Sequence, residues 1–167
     1  MRLLSLMAGA AVAAIVTTGS AFAQGVPEKM PFDIPYGTPV NYEEAIKLID
    51  TAAAEAKKHG WKMNIAVVDN NGDLIAFQRM DGAQIASVNI SQGKARTAAR
   101  YRRPTEVFFK AFESGHPYVA TLDPTLVAST GGFPLVKGGK MVGAIGCSGG
   151  TGGQDGVTCK AAADTVK

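Results

Sequence analysis

Five cations stand within ten positions of the 167-residue chain: Lys94, Arg96, Arg100, Arg102 and Arg103, followed by Pro104-Thr105. No acid interrupts them before Glu106. Paired guanidinium groups grip carboxylates and phosphates in a fixed fork, so Arg102 and Arg103 form a candidate anion-binding pair. The competing reading is a solvated helix end whose cations suit the negative pole of the helix. At 100° per residue, Arg96, Arg100 and Arg103 fall along one stripe, while Lys94 lies about 160° from Arg96. The run is therefore not a single basic face.

Other stretches could carry chemistry. GCSGG (146–150) matches the G-x-S-x-G nucleophile elbow and follows a strand-like run. However, the hydrolase order needs an acid and then a histidine after the serine, and the only histidines, His59 and His116, both precede it. A tight exit from a strand is the favoured reading of Ser148 and its glycines. GGTGGQDG lacks the Gly-Lys-Ser/Thr of a phosphate loop, although backbone N–H groups before a last helix can still hold an anion. In VVDNNGD, Asp69 and Asp73 look like part of a calcium loop without its bidentate Glu, and are better read, with Asp81, as turn and cap residues. His59 suits a helix end. His116 lies in a long loop, where binding residues concentrate, and is the better functional candidate. Met80 and Met141 read as packing residues.

Identifiable elements must position these groups. NYEEAIKLIDTAAAEAKKHG reads as a helix with Asn41 as N-cap, Glu44 completing a capping box, and Gly60 as the stop. Ala45, Ile46, Ile49, Ala52, Ala53 and Ala56 share its predicted apolar face. KMNIAVVDNNGDLIAFQRM reads as a hairpin turning at Asn70-Asn71-Gly72. Residues 84–101 form a predicted helix with a small-residue face including Ile85 and Val88. Pro104 ends it and pushes Arg103 toward extended backbone. A short helix follows, with Thr105 as possible cap. Residues 114–130 read mostly as loop, 131–150 as a second hairpin around Gly138-Gly139, and QDGVTCKAAADTVK as a last helix. The order implies an α+β fold in one domain, an antiparallel sheet packed on helices.

Residues 1–23 read as a cleaved secretory signal peptide: Arg2, then an uncharged apolar run, then Ala21-Phe22-Ala23. Loss of Arg2 with this leader takes the formal net charge from +3 to +2. Residues 24–40 hold four prolines and read as an extended arm, and 41–167 as the domain. No later apolar run has the length of a bilayer span. A periplasmic or secreted location follows, which argues against nucleic acid as partner. The location also favours a disulfide between Cys147 and Cys159, the only two cysteines. A free pair, acting as redox switch or ligand, is the alternative.

NIAVVDNNGDLIAFQRMDGA, KARTAARYRRPT and GGFPLVKGGKMVGAIGCSGG followed by QD, in that order and spacing, resemble the GlcG/HbpS-like haem-binding family, which includes a domain appended to some cobalamin adenosyltransferases. The resemblance spans roughly residues 41–165. It implies a profilin-like antiparallel sheet flanked by helices, a homo-oligomer (tetramer or octamer), non-covalent haem, and in exported members a sensor or transport partner. It implies Thr105 as the iron-side ligand. Lys94, Arg102 and Arg103 would pair the propionates, and Tyr101, Val107, Phe108 and Phe109 would contact the macrocycle, with His116 a further candidate. Cys147 departs from the family pattern, where an aliphatic residue is usual. The function expected is haem sequestration or sensing. The alternatives are an enzyme or accessory factor acting on a small acidic molecule (haem degradation or glycolate-related), or a structural oligomer with incidental haem affinity. The lack of a complete catalytic constellation weighs against an enzyme.

Overall fold

A computed structural model of the chain describes residues 29–30 and 32–167. The expected signal peptide and the start of the Pro-rich arm lie outside the described residues. The elements are α1 (Tyr42–Lys58), β1 (Asn64–Val68), β2 (Leu74–Arg79), α2 (Ser87–Tyr101), α3 (Glu106–Glu113), a short 3-10 helix (Pro117–Thr121), β3 (Gly132–Lys137), β4 (Lys140–Ser148) and α4 (Gly152–Ala163). The four strands form one antiparallel sheet in the order β2-β1-β4-β3. This is the expected α+β architecture.

The local signals act as their chemistry dictates. Asn41 and Glu44 close a reciprocal capping box on α1. Gly72, at φ 90°, makes the first hairpin turn in a region that side-chain-bearing residues rarely enter. Other expectations need correction. Ile85 is 80% exposed and precedes α2, which begins at Ser87 without a side-chain cap. Leu48 rather than Ile46 lies in the buried set of α1. The last helix begins at Gly152, because Thr151 and Gln154 form a second capping box.

Alternation along the central strands divides the interior into two cores. Ile65, Val67, Ile145 and Cys147 pack with the alanine face of α1 and with Cys159 and Ala162 of α4. Ala66, Val68 and Ala144 face the other way, against Ala95, Ala98 and Ala99 of α2. Small residues line this second interface because α2 lies directly on the sheet. A Cβ on Gly146 would collide with the Ser91 carbonyl and the Ala95 amide of that helix. Cys147 and Cys159 are both buried and paired, their Cα atoms 5.5 Å apart, which ties the end of β4 to α4.

The contact between α2 and α4 is electrostatic. Lys94, only 1% exposed, donates to Oδ2 of Asp155 at 2.7 Å, and Oδ1 of Asp155 accepts from the amides of Gly149 and Gly150, each at 3.0 Å. Both carboxylate oxygens are thus satisfied, as a buried charge requires. Burial holds the Lys94 ammonium below its ordinary range, with the charge and hydrogen bond of Asp155 opposing that shift. Lys94 is a first correction to the expected propionate contacts, because it lies inside the fold and cannot reach a surface ligand. The GGTGG amides are corrected likewise: two of them already hold an anion, and it is the chain's own Asp155.

Two outcomes follow from these links. Denatured but unreduced protein shows no free thiol and reduced protein shows two, and reduction lowers unfolding free energy by about 2–3 kcal/mol through loss of a short closed loop. Two reactive thiols before reduction would refute the pairing. Asp155→Ala leaves a buried uncompensated cation and destabilises by about 3–5 kcal/mol, whereas Lys94→Met/Asp155→Leu removes both charges and loses far less. Chemical denaturation of the three proteins distinguishes a coupled pair, for which the double variant is the more stable, from two independent contributions.

Candidate functional site

The chain between α2 and α3 is shaped by backbone constraints. Arg102 caps α2 in the left-handed region at φ 53°, the only non-glycine residue of positive φ among the described residues. A side chain held there costs about 1 kcal/mol or more, and such strain persists only where the surroundings enforce it. Pro104 follows two residues on and prevents α2 from continuing.

The Arg102-Arg103 fork faces the N-terminal arm. Nη1 of Arg102 donates to the Ile34 carbonyl at 3.0 Å, and its guanidinium lies 5.3 Å from the Tyr36 ring centre. The Arg103 guanidinium lies 3.6 Å from the Phe32 ring centre, 4.7 Å from Phe108 and 5.6 Å from Tyr101. Its Nε is buried and has no hydrogen-bond partner among the described residues. Burial pushes the Arg103 guanidinium below its ordinary value, Tyr101 opposing. It remains a cation all the same, since arginine does not deprotonate in proteins. The Tyr101 phenol is raised, by burial first and then by Asp123, with Arg103 and Arg100 opposing.

The arm is anchored just beyond these contacts. Met141 donates to the Pro35 carbonyl at 2.8 Å, Gly37 to the Met141 carbonyl at 2.7 Å, and Val40 to the Val142 carbonyl at 2.8 Å. Tyr36 thereby pairs in parallel with Met141, beyond the point where β1 has ended. Phe32, Ile34 and Tyr36 are parts of this region that composition alone concealed. Their alternation, F-x-I-x-Y, was the available signal of an edge strand with one apolar face.

Beyond the fork, α3, the 3-10 helix and the residue after it expose Val107, Phe109, Phe112, Tyr118 and Leu122, between 40% and 60% accessible. His116 joins these two elements: its amide donates to the Ala111 carbonyl at 3.0 Å, and its ring meets Tyr118 edge to face at 6.2 Å. Its Nδ1 lies 3.2 Å from Oγ of Ser114. His59, in contrast, is bonded to Glu55 and stacked on Trp61.

Thr105 and Phe108 are corrected by the geometry. Thr105 is fully buried; its hydroxyl donates to the Ser129 carbonyl at 2.6 Å and accepts from the Gly132 amide at 2.9 Å. It stands at the expected N-cap of α3, although its side chain makes no cap bond; it joins the entry of α3 to that of β3 and does not present its oxygen to a ligand. Phe108 is 2% exposed and meets the Tyr101 ring at 4.9 Å inside the fold. Its neighbours Val107 and Phe109 point outward. Arg100 braces the first hairpin turn through the Asn71 carbonyl at 3.0 Å and lies 3.6 Å from Asp123. Ser148 donates to Ser87 at 2.9 Å and is buried. Among the described residues, no cluster of His, Cys, Asp and Glu has metal-binding geometry.

A haem would need a flat apolar surface, cations for its propionates and an axial donor. The residues present fit the first two: the exposed α3 aromatics supply the surface, and Arg102 and Arg103 supply the charge, with the orphaned Nε of Arg103 as a donor that lacks an acceptor. Thr105 does not fit the third. His116 does, being an exposed imidazole beside that surface.

The chain matches the family model described as haem degrading protein HbpS-like over residues 40–164. It is 40% identical over 109 residues to Protein GlcG of Escherichia coli strain K12, an overlap of 65% of this chain and 81% of that protein. The fold superposes with a TM-score of 0.72 on a double mutant of HbpS from Streptomyces reticuli, 29% identical, covering 87% of this chain and 98% of that one. It also superposes with a TM-score of 0.72 on PduOC in its haem complex, covering 78% and 96% of the two chains, a likeness of fold at 22% identity. With a family model covering most of its length and a sequence relative this close, the chain belongs to the HbpS-like family.

Proposed function

We propose that the protein binds haem non-covalently for sequestration or sensing. The macrocycle would lie against the exposed face of α3, with its propionates at the Arg102-Arg103 fork. The observation that carries this reading is the buried, unpartnered Nε of Arg103 within an aromatic cluster, next to a helix exposing Val107, Phe109 and Phe112. Apolar contact with a ring system and charge-assisted bonds to carboxylates are the interactions such a surface offers. His116 is the proposed axial donor, because imidazole is a far stronger iron ligand than a neutral hydroxyl. Haem supplies redox and ligand-binding chemistry when bound; the chain's own part is to hold and orient it.

The arm belongs to this reading. Phe32 and Ile34 engage the arginines that the propionates would use, so the ligand has to displace them. Export and self-association are part of the same proposal. The leader-like residues 1–23 and the buried cysteine pair suit an oxidising compartment. The apolar face of α3 would suit either a ligand or a second copy.

Haem titration of the purified protein is expected to give a saturable Soret shift at micromolar haem. Arg102→Ala/Arg103→Ala weakens binding about tenfold or more, the scale of losing one or two charge-assisted hydrogen bonds. His116→Ala shifts the absorption bands, whereas Thr105→Ser leaves them in place. Phe32→Ala tightens binding by freeing the fork. Absence of any shift ends the haem reading. Bands that stay in place with His116→Ala reassign the axial donor.

A further inference from the structure

At the opposite end of the β1–β2 ladder lies a cavity of about 460 Å³ that shares no residue with the site above. Its wall includes Lys57, Trp61, Lys62, Gln78, Arg79 and Asp81. Among the described residues, Lys57, Lys62 and Arg79 form no ion pair, whereas the nearby Lys58 and His59 are both tied to Glu55. Three unpaired cations against one carboxylate is a marked local excess in a chain whose whole net charge is +3.

Helix electrostatics account for only part of this. Lys57 lies in the last turn of α1, where a cation is favourable. Lys62 and Arg79 belong to the hairpin. Arg79 pairs with Asn64 in the β1–β2 register, and Lys62 stands two residues before Asn64, so the two cations are diagonal neighbours. Asp81, which faces Lys62 when the register is continued past the Met63–Met80 bond, is the one carboxylate beside them. A second feature belongs to a lining residue: among the described residues, Oε1 of Gln78 is buried without a hydrogen-bond partner. That oxygen is an acceptor and calls for a donor, such as a ligand hydroxyl or a water. The indole of Trp61, stacked on His59 at 4.3 Å, gives the cavity a rigid apolar wall.

We infer that this cavity is a binding site for a small organic dianion or trianion, a di- or tricarboxylate or a phosphate ester. Lys57, Lys62 and Arg79 supply the counter-charge. The Gln78 amide pairs with a ligand hydroxyl or, turned over, donates to its anionic oxygen. Trp61 covers the ligand's carbon skeleton. The site is independent of the haem reading.

Trp61 is the only tryptophan of the chain, so its emission reports on this cavity alone. Citrate and pyrophosphate, titrated separately into the full protein at low ionic strength, are expected to change that emission saturably in the micromolar to millimolar range. Chloride at matched ionic strength should not. Lys62→Gln/Arg79→Gln, a change of two exposed side chains, is expected to weaken binding about tenfold or more, while Arg102→Ala/Arg103→Ala leaves it unaltered. A response to citrate alone, or to pyrophosphate alone, fixes which anion class the site takes. The inference is overturned if neither anion acts and calorimetry confirms no binding, or if the response persists unchanged in Lys62→Gln/Arg79→Gln. Because haem is absent from every arm, failure here leaves the haem reading untouched, and the converse holds.

Discussion

The buried Lys94–Asp155 ion pair is the constraint on which the rest of the structure depends. It joins the helix on one side of the sheet to a helix on the other, and does so at the rim where β4 ends. Asp155 also holds the amides of Gly149 and Gly150, so one carboxylate sets the path from β4 into α4. Gly131 passes so close that a Cβ there would sit 2.8 Å from the Asp155 Cβ and 3.1 Å from Nζ of Lys94. A buried pair of this kind seldom adds net stability over a hydrophobic equivalent, but a single broken partner is severe. Because Lys94 lies on α2, the pair ties the packing of that helix on the small face of the sheet to α4, and Arg102 and Arg103 emerge at the end of the same helix.

The basic run at 94–103 thus resolves into several separate roles. Lys94 lies inside, Arg100 braces a turn, and Arg102 and Arg103 face the arm. Helical periodicity alone separates Lys94 from the stripe, but it cannot say that the residue is buried, since that depends on an acid 61 positions away. Net charge is a poor guide to ligand binding here, because most of these cations are already engaged by the chain itself.

What the sequence made legible was local. The Asn41–Glu44 box, the Gly72 turn and the apolar face of α1 depend on residues within a few positions of one another. The Thr151–Gln154 box carried an equally local signal, obscured by the glycines around it. The site was less legible because it is assembled across distance. Ile34 meets Arg102 over 68 positions, and Thr105 meets Ser129 over 24. A threonine after a proline looks like an available hydroxyl until the returning chain supplies a carbonyl on one side and an amide on the other. The outward turn of Phe109 and inward turn of Phe108 follow from helix phase, and that phase is set by where Thr105 anchors the entry of α3.

Magnitudes indicate how the arm and an anionic ligand would share the fork. An exposed cation–π contact contributes about 0.5–1 kcal/mol, rising to about 2 when desolvated. A charge-assisted hydrogen bond contributes about 1.5–3 kcal/mol net. Displacing Phe32 and Ile34 loses one stacking contact and one hydrogen bond to a neutral carbonyl, while the pairings of Pro35, Gly37 and Val40 with β4 hold the arm nearby. On the haem reading, a carboxylate meeting both guanidinium groups, and the Nε of Arg103 with them, would make more such bonds than the single one Ile34 makes with Arg102. The two states then differ by only a few kcal/mol, and the apparent affinity equals the intrinsic affinity scaled by the fraction of open fork. On the haem reading, the aromatic residue at position 32 would therefore set the threshold concentration for binding without touching the ligand.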